Sequence, residues 1–456
     1  MSAKLFSARR PAVEIRGVHL DLKGVPPTPK RLLKLLDLFS ALRINAVLAE
    51  WEDTFPWSRY PELKSPTAYT PAEIKSFADR AADLGIEIIP LVQCLGHAEN
   101  VLSKKRFAAL CEVKDNVAQF CPSNPASARV VIDMVDDVMH LLGGRIRRFH
   151  LGGDEARYMG SCPRCRRAVG KIGKGGLYLN HVGPILDHLN DWGVKPILWD
   201  DMMRPWPDSA LRKLGRRADL MSWSYAADPA PKKNKWLNPG HLRRFRRDGI
   251  RVWGASAYKG GDGAWMDVPD TKARAQNNLA WARLACENGL AGVVATAWSR
   301  YDTFMAPCET IDSSLHTLVI AAAAMWDGNL PRDYMAAAQS FLRRHPAEFK
   351  RFRNCFQAAS NLGRWQKGSI LWHLEEAERA AHLSGEPDRI NPGIVRRHIE
   401  GIKKEIAKGR ALGAAFIRAH RGAIPDRWLR LYVASRVNPF VRRFKSLSPA
   451  CACRHC

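Results

Sequence analysis

A chain of 456 residues, 46% of them hydrophobic, carries enough apolar material for a sizeable core and enough length for a barrel of ~250 residues with an appended region, which excludes a disordered chain. The net charge of +26 raises nucleic acid, anionic membranes and acidic glycans as partners, but the sequence has no zinc finger with paired histidines, no RNA-binding sheet signature and no Gly-rich phosphate loop, so no specific nucleic-acid partner is expected. No apolar run approaches the ~20 residues of a membrane span, Met1 to Arg10 lacks the apolar segment of a secretory signal, and eleven scattered cysteines suit reduced thiols in a cytoplasmic protein.

After a lead-in of residues 1–12, residues 13–22 (VEIRGVHLDL) predict a first strand. Leu32, Leu33, Leu36 and Phe39 form one stripe of a helix over 30–42, and residues 44–49 form a second strand that opens into Glu50-Trp51-Glu52-Asp53. Thr70-Pro71-Ala72-Glu73 has a cap, Pro at the first helical position and Glu two residues later, so a helix starts there; Gly85 closes it. Strands follow at 86–92, 145–149, 195–199, 220–223, 250–255 and 291–297, separated by helical patterns that include 127–142, 177–191, 241–247 and 271–288. Regular alternation implies a parallel sheet covered by helices, and eight units favour a closed (β/α)8 TIM barrel over 13–330. From 331 to 445 only helical patterns appear, among them a long basic one over 396–416, and this region either packs on the barrel or pairs two copies of the chain in a homo-oligomer. Residues 446–456 form a Cys-rich tail.

The fourth strand runs into His150-Leu151-Gly152-Gly153-Asp154-Glu155. Neighbours on a strand point to opposite faces, so Asp154 and Glu155 share a pocket only if the strand ends at the glycines. Two carboxylates forced together cannot both ionise cheaply, and one pKa is expected to rise. Trp51, Trp199, Trp223 and Trp298, with Glu50, Asp200, Tyr225, Arg300 and Glu309, fall at or after C-terminal strand ends, the face where barrels keep their sites. Aromatic faces interleaved with acids suit a sugar, whose C–H faces stack and whose hydroxyls donate to carboxylates.

The pattern His-x-Gly-Gly-Asp-Glu resembles the signature of the family-20 glycoside hydrolases, the β-N-acetylhexosaminidases, and the resemblance extends over about residues 13–325. Arg16-Gly17-Val18-His19-Leu20-Asp21 resembles the family's first-strand motif, and Gly96-His97 its third-strand Gly-His. The stretches VHLDLKG, WDDM, SAYKG and WSRYD are similar to the hexosaminidase D-like branch. What the resemblance implies is an exo-acting β-N-acetylhexosaminidase that removes terminal β-linked GlcNAc or GalNAc from glycans, with retention and without a cofactor or catalytic metal. Asp154 and Glu155 would be the catalytic pair. Arg16, His97, Trp199, Trp223, Tyr225, Trp298 and Glu309 would surround the sugar, with Arg16 and Glu309 on its hydroxyls, His97 supporting the acid and Tyr225 on the acetamide oxygen. Tyr258 competes with Tyr225 for that role, and Glu50, His150, Asp200 and Arg300 would stand behind the site.

Two other readings compete. His19, Asp21, His97, His150 and Asp200 are residue types that bind zinc, which would suit a metal-dependent barrel hydrolase. A non-catalytic glycan-binding barrel is the other, against which the intact Asp154-Glu155 pair argues. Separately, Cys162-Pro163-Arg164-Cys165 has zinc-knuckle spacing without an evident second pair; Cys111, Cys121 or the tail could complete it only through folding.

Overall fold

The computed structural model describes residues 5–382 and 392–451; residues 452–456 of the Cys-rich tail lie outside them. Eight strands form a closed, all-parallel barrel in sequence order: β1 (Ile15–Asp21), β2 (Ala46–Glu50), β3 (Glu87–Leu91), β4 (Arg148–His150), β5 (Lys195–Trp199), β6 (Asp219–Trp223), β7 (Val252–Lys259) and β8 (Gly292–Ala297). Closure comes from β1 pairing with β8, Ile15 opposite Gly292 and Val18 opposite Ala295. The barrel interior is filled by Ala46, Leu48, Ile89, Leu91, Ile197, Met221, Trp253 and Val294, so it is a packed core with its chemistry confined to one end. A second apolar layer, rich in Leu, Val and Ala, seals the strands to the surrounding helices.

The helices start where their caps predict. Thr70 accepts from the Glu73 amide while Glu73 accepts from the Thr70 amide, a complete capping box. One helix differs from its expected span. It begins at Pro163 rather than 177 and runs to Asp191, because Cys162 caps it and the chain passes a break at Gly173, whose φ of 71° lies outside the helical region. Its glycine-rich first half masks the helical period in the sequence.

Beyond Asp327 come helices Tyr334–Arg343, Pro346–Gln366, Ser369–His382, Pro392–His420 and Asp426–Cys451. They build a core of their own around Trp365, Ile402, Phe416, Trp428 and Tyr432, which also takes in Val25 from the barrel. Packing on the barrel is therefore realised within one chain. The joint is polar as well: the Asp267 carboxylate accepts from Tyr432 Oη at 2.6 Å and Arg436 Nε at 2.9 Å, both buried. Removing one partner of a buried pair leaves an uncompensated charge, at a cost of about 3–5 kcal/mol. Arg436→Met is thus expected to lower unfolding free energy by about 3 kcal/mol in a urea titration; a loss below about 1 kcal/mol would mean that the pair does not hold this joint. Among the described residues, no helix is long and apolar enough to cross a membrane.

Candidate active site

β4 holds only three residues, and its backbone bonding to β5 ends where the Gly152 carbonyl accepts from the Trp199 amide at 3.0 Å. Gly152 and Gly153 have φ of 60° and 82°. A Cβ at Gly152 would lie 1.8 Å from Gln93 Oε1, and one at Gly153 2.2 Å from the Tyr178 hydroxyl, so both space and backbone require glycine. The turn they make is pinned from outside. Tyr178 Oη donates to the Gly153 carbonyl at 3.0 Å, and the Glu155 amide donates to Asp201 Oδ2 at 3.0 Å. Glu155 itself is held at φ 46°, an uncommon conformation for a non-glycine residue.

Both carboxylates converge on one imidazole. His97 Nε2 lies 3.4 Å from Asp154 Oδ2 and 3.5 Å from Glu155 Oε2, while His97 Nδ1 faces Asp302 Oδ1 at 3.6 Å. Burial alone would lower the His97 pKa, but the charge of Asp154 and contacts with Asp302 and Glu155 outweigh it and hold the pKa well above its ordinary value. Glu155 is the converse case: its contact with His97 and the nearby Arg157 guanidinium outweigh burial and keep it below the usual carboxylate range. The expected rise in one pKa of the pair is therefore not realised on Glu155, because a cation sits between the two acids. Behind the pair, Asp201 is pushed up to about 7, chiefly by burial and then by the charge of Asp154.

A cavity of about 380 Å³ opens over this group, within the ~300–1,000 Å³ usual for small-molecule sites. His97, Asp154, Glu155, Trp199, Trp223, Tyr225 and Trp298 line it together. Trp223 stacks on Tyr225 with centroids 5.5 Å apart, and Trp298 Nε1 donates to Tyr225 Oη at 2.8 Å. Because the tyrosine oxygen accepts that bond, its own O–H remains able to donate into the cavity. Burial pushes the Tyr225 pKa up, so the proton stays on. Asp154 Oδ1 is buried without a protein partner. A larger cleft of about 590 Å³, between Met266–Val268 and the helix Pro346–Gln366, has one carboxylate, Asp267, which is already saturated by Gln366, Tyr432 and Arg436.

Several expected residues lie elsewhere. Arg16 sits five residues before the end of β1, roughly 16 Å below the site face at ~3.3 Å per residue. Its guanidinium donates to the carbonyls of Val13, Glu14 and Arg43 and packs on Trp326, so it closes the opposite end of the barrel. On the cavity side of β1 stands Lys23, 3.0 Å from both Asp21 and Glu50 and 5.4 Å from the Trp298 ring centre. Tyr258 is buried in the outer layer and does not line the cavity. Glu309 accepts from the Gly260 amide at 2.7 Å and is buried away from the cavity lining. Arg300 donates to the Thr303 carbonyl and covers Trp428 of the helical region. Trp51 packs against Phe55, Tyr69 and Phe77.

Glu50, His150 and Asp200 stand behind the cavity. Glu50 meets His19 at 3.2 Å and Lys23 at 3.0 Å, and these partners outweigh burial to keep it ionised. His150 Nδ1 accepts from the Gly152 amide at 2.9 Å; burial pushes its pKa down to about 3, so it is a neutral strut under the turn. Asp200 is held by Arg204 and Ser222. The zinc set His19, Asp21, His97, His150 and Asp200 is thus dispersed among separate ion pairs and hydrogen bonds. Near the site, the group that converges as ligands do is His97, Glu99 and Asp302, in which His97 is cationic. Residues that sequence reasoning left without a role also line the cavity: Arg157, Tyr301, Asp302 and Met305. Tyr301 and Asp302 lie in the WSRYD stretch directly after β8, a signal that could have found them.

The family model for glycosyl hydrolase family 20, catalytic domain, matches residues 14–242, half of the chain. Hexosaminidase D of Bos taurus is 32% identical over 350 residues, which are 74% of this chain and all of that protein. Hexosaminidase D of Homo sapiens is 33% identical over 340 residues, 72% of this chain and 69% of that one. In fold, the chain is similar to the chitobiase of Flavobacterium johnsoniae, with TM-score 0.58 and 16% identity over 96% of this chain and 75% of that one. It is likewise similar to the β-N-acetylhexosaminidase of Bacteroides fragilis, with TM-score 0.56 and 20% identity over 74% of this chain and 72% of the other. A closed parallel barrel, a carboxylate pair on a Gly-Gly turn and these similarities agree: the chain belongs to glycosyl hydrolase family 20 and is a glycoside hydrolase.

Proposed function

We propose that the chain is an exo-acting β-N-acetylhexosaminidase that hydrolyses terminal β-linked GlcNAc or GalNAc with retention, using the substrate's own acetamido group. The observation that carries this is the convergence of Asp154 and Glu155 on His97 beneath a cavity walled by Trp199, Trp223, Tyr225 and Trp298. The similarity to proteins named hexosaminidase D supports the same substrate class. Glycans are then the partners.

In the first step the acetamide oxygen attacks the anomeric carbon, the glycosidic C–O bond breaks, and Glu155 gives its proton to the leaving oxygen. Asp154 accepts from the acetamide N–H and stabilises the positive charge of the oxazolinium. Tyr225 donates to the acetamide oxygen and holds it in line. Water then attacks the anomeric carbon from the face the leaving group vacated, Glu155 takes its proton, and the ring reopens. Two displacements return the β configuration.

The acid needs a proton that Glu155 does not hold in the empty cavity. His97 holds it instead, and a transfer within the His97–Glu155 pair leaves the proton count unchanged. Filling the cavity removes water from Glu155, which penalises its charged form and favours that transfer. The alkaline limb of kcat/KM should therefore follow His97: activity is present while His97 is charged and falls as pH rises through its raised pKa. In His97→Asn the store is lost, and the limb should move acidwards by about one pH unit or more. An unmoved limb would separate His97 from the proton supply.

Substrate class is tested with aryl β-glycosides of GlcNAc, GalNAc, glucose and galactose. The proposal expects turnover only where the acetamido group is present, with the β-anomer as first product by proton NMR. Comparable rates on the plain glucoside would rule it out.

A further inference from the structure

We propose that Glu112, Cys121, Cys162 and Cys165 form a closed, four-ligand zinc site that clamps the loop behind the catalytic carboxylates. Glu112 and Cys121 come from the excursion between β3 and β4, and Cys162 and Cys165 from the start of the helix Pro163–Asp191. Folding brings one potential ligand atom of each within 4.8 Å of the others.

The spacing is that of metal ligands. Cys121 Sγ lies 3.8 Å from Cys162 Sγ and 3.6 Å from Cys165 Sγ. Two sulfurs at ~2.3 Å from a tetrahedral zinc are about 3.8 Å apart, whereas a disulfide requires ~2.05 Å. The fourth group is aimed. Glu112 Oε1 accepts from the amides of Gly160 at 3.1 Å and Cys162 at 3.0 Å, which leaves Oε2 turned toward Cys165 Sγ at 2.9 Å. Cys121, Cys165 and Glu112 are buried, so an ion there would be shielded from water, as structural sites are.

The Cys165 amide donates to Cys162 Sγ at 3.3 Å, and both cysteines lie at a helix N-terminus, where the macrodipole favours negative charge. Three soft sulfurs and one carboxylate gathered this closely suit zinc rather than magnesium or calcium. With four protein ligands no position stays open for substrate, so the site's part is mechanical. It closes the loop that begins at Glu155 and carries Arg157. The Tyr158 amide, on that loop, already donates to Gln119 Oε1 at 2.9 Å, so the same excursion grips the loop twice.

The test is metal analysis of the full chain, purified without chelator and dialysed against metal-free buffer. One zinc per chain is expected. Cys162→Ser/Cys165→Ser should fall below ~0.2 zinc per chain. Cys286→Ser and the tail variant Cys451→Ser/Cys453→Ser/Cys456→Ser should keep theirs. Should the double variant not fold, the unaltered chain loaded with cobalt answers independently, through a thiolate-to-cobalt charge-transfer band and intense tetrahedral visible bands that Glu112→Gln shifts. Less than ~0.2 zinc in the unaltered chain with no such cobalt spectrum, or metal that disappears with the tail cysteines, would overturn the assignment.

Discussion

Glu155→Gln is expected to lower kcat/KM on β-linked disaccharides of N-acetylhexosamine by ~10²–10⁴-fold, and far less on dinitrophenyl glycosides. Glutamine keeps the size and polarity of the side chain, and the turn is held through the Glu155 backbone amide on Asp201, so the geometry of the loop should survive. What is lost is the proton for the leaving oxygen. A disaccharide releases a poor alkoxide and needs that proton; dinitrophenolate leaves without one. The penalty should therefore grow steadily as the leaving group becomes more basic. A uniform penalty across the series would remove Glu155 from the role of general acid.

Asp154→Asn should cost ~10²–10³-fold, by a different pattern. The carboxylate's charge stabilises the oxazolinium nitrogen, and every substrate passes through that intermediate whatever it releases. The loss should stay roughly constant along the same leaving-group series. His97 gives a second readout. The charge of Asp154 is the main influence raising the His97 pKa against burial, so its removal should move the alkaline limb of kcat/KM to lower pH without abolishing it. A leaving-group dependence matching that of Glu155→Gln would mean that the two carboxylates do not divide the work as proposed.

The barrel was legible because each unit is punctuated: a short apolar strand, a polar turn, a capped helix, a closing glycine. Asp154, Glu155 and the aromatic residues 199, 223 and 298 were legible because strand ends place side chains on one face whatever the loops do. Arg16 shows the limit of motif matching. The motif names the residue but not its height in the barrel, and five residues of strand separate it from the site. Glu309 and Tyr258 fall near strand ends in sequence, yet burial behind Gly260 and in the outer layer turns them away. Arg157 and Asp302 escaped because loops have no period, and their meaning comes from contact with Glu155 and His97. The lowered pKa of Glu155 was illegible for the same reason: two acids in sequence suggest repulsion, and the imidazole between them comes from a loop more than fifty residues earlier. Glu112 and Cys121 likewise complete the Cys162/Cys165 group only in three dimensions.

The central claim is that the substrate supplies the nucleophile, and the most direct measurement varies that nucleophile alone. Nitrophenyl β-N-acetylglucosaminides carrying one, two or three fluorines on the acetamide methyl differ little in size but make its oxygen progressively less nucleophilic. The proposal predicts that kcat/KM falls with every fluorine added, in both the unaltered enzyme and Glu155→Gln. A rate indifferent to fluorination would show that the acetamide does not attack, and would contradict the account of Asp154 and Tyr225 with it.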